Sequence, residues 1–94
     1  MGQSRRQQPA RLAGKLKEIR LKLELTQEQM AKHLHKVKAG LQSGHVSEYE
    51  SGKREPLLIV LLAYARLAGI STDYLIDDKL DLPKNLPYSQ EKRH

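Results

Sequence analysis

The sequence predicts an all-α domain of five helices. Apolar residues recur every three or four positions in successive segments, which is the spacing of one face of an α-helix. Residues that begin or end helices, such as Thr26 and Gly52, separate these segments. The length of 94 residues fits one such domain. We therefore expect a helical domain over residues 12–78, preceded by a flexible basic arm (1–11) and followed by a tail (79–94).

The first two predicted helices are amphipathic. The apolar stripe of the first helix consists of Leu12, Leu16, Ile19 and Leu23. Thr26 is a good N-cap for the second helix, and Gln29, three residues later, completes a capping-box pattern. The apolar residues behind this cap are Met30, Leu34, Val37 and Leu41. We expect the second helix to continue to about Ala39, with Gly40 taking the left-handed conformation after its end.

The third predicted helix is short and polar on one face. It begins at Ser43 or Gly44 and ends at Ser51, directly before a glycine that can take the C-terminal position. Val46 and Tyr49 are its expected buried residues. Its other face is polar and is therefore open to solvent or to a partner.

The last two predicted helices differ in length and in apolar content. Pro56 opens the fourth helix, whose sequence LLIVLLAYARLA is closed by Gly69. Because this segment is apolar nearly all round, we expect it to lie at the centre of the domain. A fifth helical turn has the sequence TDYLIDD, and the residues expected to close the core are Tyr74, Leu75 and Ile76.

The composition of the chain limits the classes of partner and site that we expect. A net charge of +6 and an isoelectric point near 9.7 favour a polyanion, either nucleic acid or an anionic membrane surface. The absence of cysteine excludes disulfides and thiolate metal sites. The longest apolar run, from Leu57 to Ala65, is far shorter than the roughly 20 residues that span a bilayer. We expect a soluble, cytoplasmic protein with no membrane partner.

Catalytic and metal-binding patterns are weak. His33 and His35 are two residues apart and do not share a helix face, so we expect no metal site. The acidic residues Asp77, Asp78 and Asp81 have no glycine-containing calcium loop and no partner base. We therefore expect neither an enzyme nor a cofactor.

Two segments together indicate function: LTQEQMAKHL at 25–34 and VSEYESGKREP at 46–56. Their order and residue types resemble the phage-repressor and Cro-like helix-turn-helix family, also called the xenobiotic-response-element family, over roughly residues 12–76. The resemblance implies a repressor-like DNA-binding domain whose short third helix enters the major groove.

The resemblance also implies which positions contact bases. They lie just before and within the third helix, and correspond to Gln42, Ser43, Gly44, His45, Ser47 and Glu48. Gln42 suits adenine, Glu48 suits the exocyclic amine of cytosine, and Gly44 offers close backbone approach. The alternative is that this face is ordinary solvated helix surface.

Further positions are implied to contact phosphates or to hold the third helix. Gln27, at the start of the second helix, is expected to bind a phosphate with help from Thr26. Lys53 and Arg54 are expected to contact the backbone beyond the third helix. The alternative for these residues is plain surface exposure. The resemblance also implies an ion pair between Arg20 and Glu50 that holds the third helix in place.

One departure from the family pattern affects these assignments. The connection between the second and third helices is about five residues longer than the usual tight turn. Either the second helix gains a turn, or the loop bulges towards DNA and brings Lys36 and Lys38 to phosphates. The basic arm contains Arg5, Arg6 and Arg11. We expect it either to lie along the DNA backbone or in an adjacent minor groove, or to be a solvated tail.

The sequence thus predicts sequence-specific binding of double-stranded DNA by a transcription regulator, a repressor in our interpretation. One recognition helix covers few base pairs, so we expect a homodimer on an inverted-repeat operator. The expected interface is the fifth helix and the tail, with Leu80, Leu82, Leu86 and Tyr88. The alternative is an antitoxin-like adaptor, whose tail binds an unidentified protein while DNA binding is secondary.

Overall fold

Five α-helices form the part of the chain that the computed structural model describes, residues 8–86. They are α1 (Leu12–Lys22), α2 (Gln27–His35), α3 (Ser43–Ser51), α4 (Leu58–Ala68) and α5 (Asp73–Ile76). No strand occurs within these described residues. The all-α prediction is confirmed.

Local signals in the sequence set several helix ends. The Thr26 hydroxyl accepts the backbone N–H of Gln29 at 3.1 Å, and the Gln29 side chain accepts the backbone N–H of Thr26 at 2.9 Å. The predicted capping box of α2 is therefore present. Gly52 and Gly69 follow α3 and α4 with φ of 82° and 75°, a region that glycine enters without a Cβ clash.

The core is mainly aliphatic, with two buried tyrosines, and is shared by all five helices. Packing is most extensive between α2 and α3 and between α1 and α3, so α3 is held from two sides. Tyr64 of α4 is the largest fully buried side chain. The other side chains with less than 2% exposure are Leu12, Leu16, Ile19, Met30, Leu34, Val46, Val60, Ala65, Ala68, Leu75 and Leu86.

The expected extension of α2 to Ala39 is wrong. The helix ends at His35, and Val37, predicted to belong to its buried stripe, is 42% exposed. The backbone N–H groups of Val37 and Lys38 both bond to the Leu34 carbonyl, and Gly40 then reverses the chain at φ 85°. The longer connection is therefore a loop and not an added helical turn.

The expectation that α4 lies at the centre of the domain is also wrong. Its buried residues are confined to one side of the helix: Val60, Leu61, Tyr64, Ala65 and Ala68. Leu58 and Ile59 are 75% and 45% exposed. Within residues 8–86, α1 and α2 pack against α4, and the side with Leu58 and Ile59 is left exposed. An apolar face of α4 therefore remains uncovered.

Residues 80–86 of the tail pack on the core, contrary to their expected role in a dimer interface. Leu82 and Leu86 are buried in the protomer, and Leu80 is half-buried. The Lys22 ammonium donates to the carbonyls of Pro83 and Lys84 at 3.1 and 2.7 Å. These contacts attach the tail to the end of α1. Tyr88 lies outside the described residues.

The start of α1 is bound to the segment after α5. The Asp78 carboxylate accepts the backbone N–H groups of Ala10 and Arg11 at 2.8 and 3.0 Å. Both bonds lower the pKa of the Asp78 carboxyl, and the bond from the Arg11 N–H has the larger effect. The Arg11 guanidinium also donates to the Asp78 carbonyl and to Asp81. Arg11 is thus fixed and does not belong to a loose arm; Arg5 and Arg6 lie outside the described residues.

A buried lysine joins α1 to α5. Lys15 is 3% exposed, and its ammonium donates to the carbonyls of Tyr74 and Asp77 at 2.7 and 2.9 Å. A cation at these carbonyls suits the negative end of a helix. Only Leu75 of α5 is fully buried, while Ile76, which we expected in the core, is 48% exposed.

Candidate nucleic-acid interface

The outward face of α3 is polar and built from small residues. Val46 and Tyr49 hold the helix to the core, at 0% and 5% exposure. Gly44, Ser47 and Ser51 are exposed and lie three and four residues apart, on one side of the helix. Because these side chains are short, the backbone of α3 can approach a surface closely. This is the geometry that insertion into a major groove requires.

Arg20 of α1 and Glu50 of α3 form a buried ion pair. The Arg20 Nε and Nη2 atoms lie 2.7 and 3.1 Å from the two Glu50 oxygens, and the side chains are only 11% and 4% exposed. The hydrogen bond to Glu50 raises the pKa of Arg20. Arg20 also donates to the Leu25 carbonyl at 2.9 Å. The pair therefore links α3 to α1 and to the turn before α2.

Gln27 joins this network from the start of α2. Its side-chain amide donates to Glu50 Oε1 at 3.2 Å, and the side chain is half-buried. In this conformation the amide contacts the ion pair and not the surface where a phosphate would lie. Thr26 is exposed, and its hydroxyl caps α2.

Glu48 and Arg54 contact each other. Arg54 Nε lies 2.6 Å from Glu48 Oε1, and both side chains are about half exposed. Their hydrogen bond lowers the pKa of Glu48 and raises that of Arg54. Lys53, beside them, is exposed, and its backbone N–H bonds to the Glu48 carbonyl at 2.9 Å. The residue expected to contact a base is thus paired with one expected to contact a phosphate.

Two histidines hold the connection between α2 and α3. His45 Nδ1 accepts the backbone N–H of Gln42 at 3.0 Å, at the first turn of α3. His35 Nδ1 accepts the backbone N–H of Gly40 at 3.3 Å. An acceptor ring nitrogen in a neutral imidazole leaves the other nitrogen as a donor. His45 therefore presents Nε2–H beside the outward face of α3.

Sequence reasoning missed these two backbone contacts. From the sequence, His35 is considered only as a metal ligand, which we do not expect it to be, and His45 only as a base contact. The available signal for His45 is its place three residues after the N-cap, where Gln or Glu completes a capping box. The signal for His35 is weaker, because its contact to Gly40 depends on the path of the loop.

Basic residues flank α3 on both sides. Lys36 and Lys38 are exposed in the connection before the helix. Lys53 and Arg54 are exposed in the segment after it. A surface cavity of about 410 Å³ lies between these flanks, and its lining includes Lys38, His45 and Arg54. The cations thus border a cavity whose lining also includes the apolar side chains of Leu41 and Leu57. No group of three or more metal-ligating side chains occurs in residues 8–86.

A scaffold helix, a connection and a second helix with an outward polar face define a helix-turn-helix protein. A model of the helix-turn-helix family matches residues 16–75, more than half of the chain. The chain therefore belongs to this family, of the Cro/C1 type, and is a DNA-binding transcription regulator. The comparisons with curated proteins and with solved structures give no significant match. Among the described residues, no helix is both long and apolar enough to cross a membrane.

Proposed function

We propose that the protein is a sequence-specific repressor that binds double-stranded DNA with α3 in the major groove. The observation that carries this proposal is the outward face of α3, with short side chains between two basic flanks. The Arg20–Glu50 pair supports it, because a fixed helix presents its side chains in one orientation. The chemistry of binding requires neither a catalytic group nor a cofactor.

Base contacts come from the exposed start and outward side of α3. Gln42 is exposed and presents an amide suited to adenine, while Ser47 bonds to several base edges. At Gly44, no neighbouring atom lies within 4 Å of the position that a Cβ would take, so its surface is open to DNA. His45 contributes Nε2–H as a donor. Ser43 lies half-buried beside them and contacts a base or a phosphate.

The Glu48–Arg54 pair separates on binding. Arg54 turns to a phosphate, and the released Glu48 carboxylate accepts from cytosine. Both side chains are about half exposed, so solvent already weakens their attraction. The exchange therefore demands little reorganisation of the protein.

Phosphates are bound on both sides of α3. Lys53 and Arg54 contact the backbone beyond the helix, and Lys36 and Lys38 contact it before the helix. Gln27 contributes through its backbone N–H in the first turn of α2, where positive potential faces anions, and Thr26 contributes through its hydroxyl, which can donate a hydrogen bond while it caps the helix. The side chain of Gln27 stays on Glu50, so its role is to position α3 as well as to face DNA.

The proposed operator is an inverted repeat bound by two copies. One α3 contacts only a few base pairs, and a second half-site supplies the remaining affinity. The antitoxin-like alternative depends on a tail that is available to a partner. Leu82 and Leu86 are buried within the protomer, which disfavours that alternative for this part of the tail.

The test is selection of bound duplexes from a random pool, followed by salt titration on the best site. Gln42→Ala should weaken this site about 5- to 100-fold without changing the salt dependence, since one base contact is lost. Lys53→Ala should weaken all sequences alike and reduce the salt slope by about one. Asn85→Ala, at an exposed tail position, is the matched neutral control.

Circular dichroism of each variant verifies that the helices are retained. If salt-sensitive binding appears without any selected motif, the protein does not recognise sequence and the proposal fails. If a motif appears but Gln42→Ala binds it like the wild type, the assignment of α3 as the recognition helix fails.

A further inference from the structure

A groove of about 280 Å³ lies between the end of α2 and the outer side of α4. Its floor is apolar and consists of Val37, from the connection after α2, and of Ala63 and Leu67 from α4. Val37 is 42% exposed, and Ile59, one turn before Ala63 and 45% exposed, extends the floor along α4. We call these four residues and the space between them the α2–α4 groove. Contiguous exposed apolar surface of this kind marks an interaction site.

The rim of the α2–α4 groove is cationic. Lys36 and Arg66 are exposed at its edge, and His33 completes the lining. Among the described residues that line the groove, none is a carboxylate. Within residues 8–86, no ion pair or side-chain hydrogen bond joins Lys36 or Arg66 to another residue. Two positive charges beside an apolar floor therefore receive no counter-charge from the described part of the chain.

An apolar floor with a cationic rim matches an acidic amphipathic helix. Ile59 and Leu67 are eight residues apart, which is about 12 Å along α4. Two turns of a partner helix cover this length and place an apolar side chain on the floor every three or four residues. Carboxylates beside those side chains would face Lys36 and Arg66. The charges thus favour an acidic segment and disfavour a second copy of this chain, whose net charge is +6.

Neither DNA nor a membrane surface would use both features of the groove. A phosphate backbone would meet the cations, but it has no apolar side chains to place on the floor. A membrane-binding surface combines basic residues with aromatic or large apolar anchors that project outwards. Here the apolar residues line a hollow, and no aromatic residue is among the described residues of its lining. A hollow of this kind accepts side chains from a partner protein.

We propose that the α2–α4 groove binds an acidic amphipathic helix of another protein. Apolar side chains of the partner lie on the floor, and its carboxylates pair with Lys36 and Arg66. Two turns of one helix bury less than the roughly 800 Å² per partner of a standard interface, so the binding is weak and reversible. The proposal goes beyond DNA binding by α3 and does not depend on it.

The test uses two synthetic peptides of about 16 residues, a length at which isolated helices begin to form. Both have leucines spaced three and four residues apart; one has glutamates beside the leucines, and the other has lysines. Titration calorimetry against the 94-residue chain without DNA measures binding. The glutamate peptide should bind with a Kd of about 10–100 μM at low salt, and the lysine peptide roughly tenfold more weakly or not at all. The amide resonances of Val37 and Ala63 should shift when the glutamate peptide binds.

A charge-matched pair of variants separates the groove from the general basic charge of the chain. Arg66→Glu and Lys17→Glu each replace a cation with an anion, but Lys17 is exposed on α1 and does not line the groove. Arg66→Glu should weaken the glutamate peptide about fivefold or more, and Lys17→Glu should bind it like the wild type.

An apolar pair of variants tests the floor. Ile59→Gln should weaken the glutamate peptide about fivefold or more, because an apolar contact is lost. Leu21→Gln, at a leucine of α1 that is 56% exposed, is the matched control and should bind it like the wild type. Circular dichroism verifies that all four variants keep their helices. None of the four residues belongs to the proposed DNA contacts, so a failure here leaves the proposed function untouched.

Equal binding of the two peptides overturns the proposal, since the sign of the partner's charge would then not matter. Equal weakening by Arg66→Glu and Lys17→Glu also overturns it, because the peptide would respond only to the general charge of the chain. If the glutamate peptide does not bind but phosphatidylserine vesicles do, and Ile59→Gln abolishes this, the groove is a membrane surface and the proposal fails. It fails likewise if the chain alone sediments as a dimer that Ile59→Gln dissociates.

Discussion

At the scale of single residues, the hydroxyl of Tyr64 is the least expected feature. It is buried and has no hydrogen-bond partner, and burial raises the pKa of the phenol. An unpaired buried hydroxyl costs free energy that a phenylalanine would not. The aromatic ring, by contrast, fills the centre of the core.

We therefore expect Tyr64→Phe to leave the free energy of unfolding unchanged or to raise it by about 1 kcal/mol. Urea denaturation measures this, with Tyr74→Phe, a half-buried tyrosine of α5, as the control. A loss of more than about 1 kcal/mol in Tyr64→Phe would show that the hydroxyl has a partner, such as a bound water.

Glu50 is the residue on which the position of α3 depends. Replacing it with alanine leaves the Arg20 guanidinium buried without its carboxylate, which should cost about 3–5 kcal/mol. The double variant Arg20→Met, Glu50→Leu should lose much less, because no charge is stranded. Thermal or urea unfolding of the three proteins tests this; a Glu50→Ala loss below about 1 kcal/mol would mean that solvent reaches the pair.

At the scale of elements, the N-terminus of α3 depends on His45. We expect His45→Ala to lower the free energy of unfolding by about 1 kcal/mol, because the Gln42 N–H loses its acceptor. His45→Gln should restore most of it, since glutamine at this position also completes a capping box. Chemical denaturation compares the three; equal stability of the alanine and glutamine variants would contradict the role of Nδ1 as a cap.

Helix ends were predictable where their signals are local. Thr26 with Gln29 and the glycines at 52 and 69 act within one turn of chain, so the sequence shows them. The end of α2 is different, because the apolar spacing continues past it to Val37 and Leu41. What ends the helix is the loop closed by His35 and Gly40, and the sequence pattern does not contain that contact.

The candidate site was likewise predictable only in part. Resemblance to a family identifies positions, so Gln42 and Ser47 could be named from the sequence. It does not specify what a side chain contacts in the free protein. The bonds of Gln27 to Glu50 and of Arg54 to Glu48 arise from the packing of separate elements. The exposed side of α4 likewise depends on which elements pack against that helix.

At the scale of the whole molecule, Asp78 joins the start of α1 to the end of the helical region. Its pKa in the folded protein is lowered from a usual value of 3.8, so the folded state holds the carboxylate more strongly than the unfolded chain does. This contribution to stability is therefore present above pH 3.8 and is lost as the pH falls through the folded value.

Accordingly, Asp78→Asn should be less stable than the wild type at pH 7, and the difference should shrink below about pH 4. Thermal melts across this range measure it. Asp81→Asn removes an exposed partner of Arg11 and should change stability little at either pH. A difference for Asp78→Asn that stays constant down to pH 2 would show that charge is not its origin.

The short side chains on the outward face of α3 have a consequence for how such a protein can change. Gly44, Ser47 and Ser51 are exposed and contribute nothing to the core. A side chain added at Gly44 meets no neighbour within 4 Å. With α3 as the recognition helix, as we propose, larger residues at these positions would alter which DNA is bound without unfolding the domain. These three positions can therefore change while the residues that pack the core stay the same.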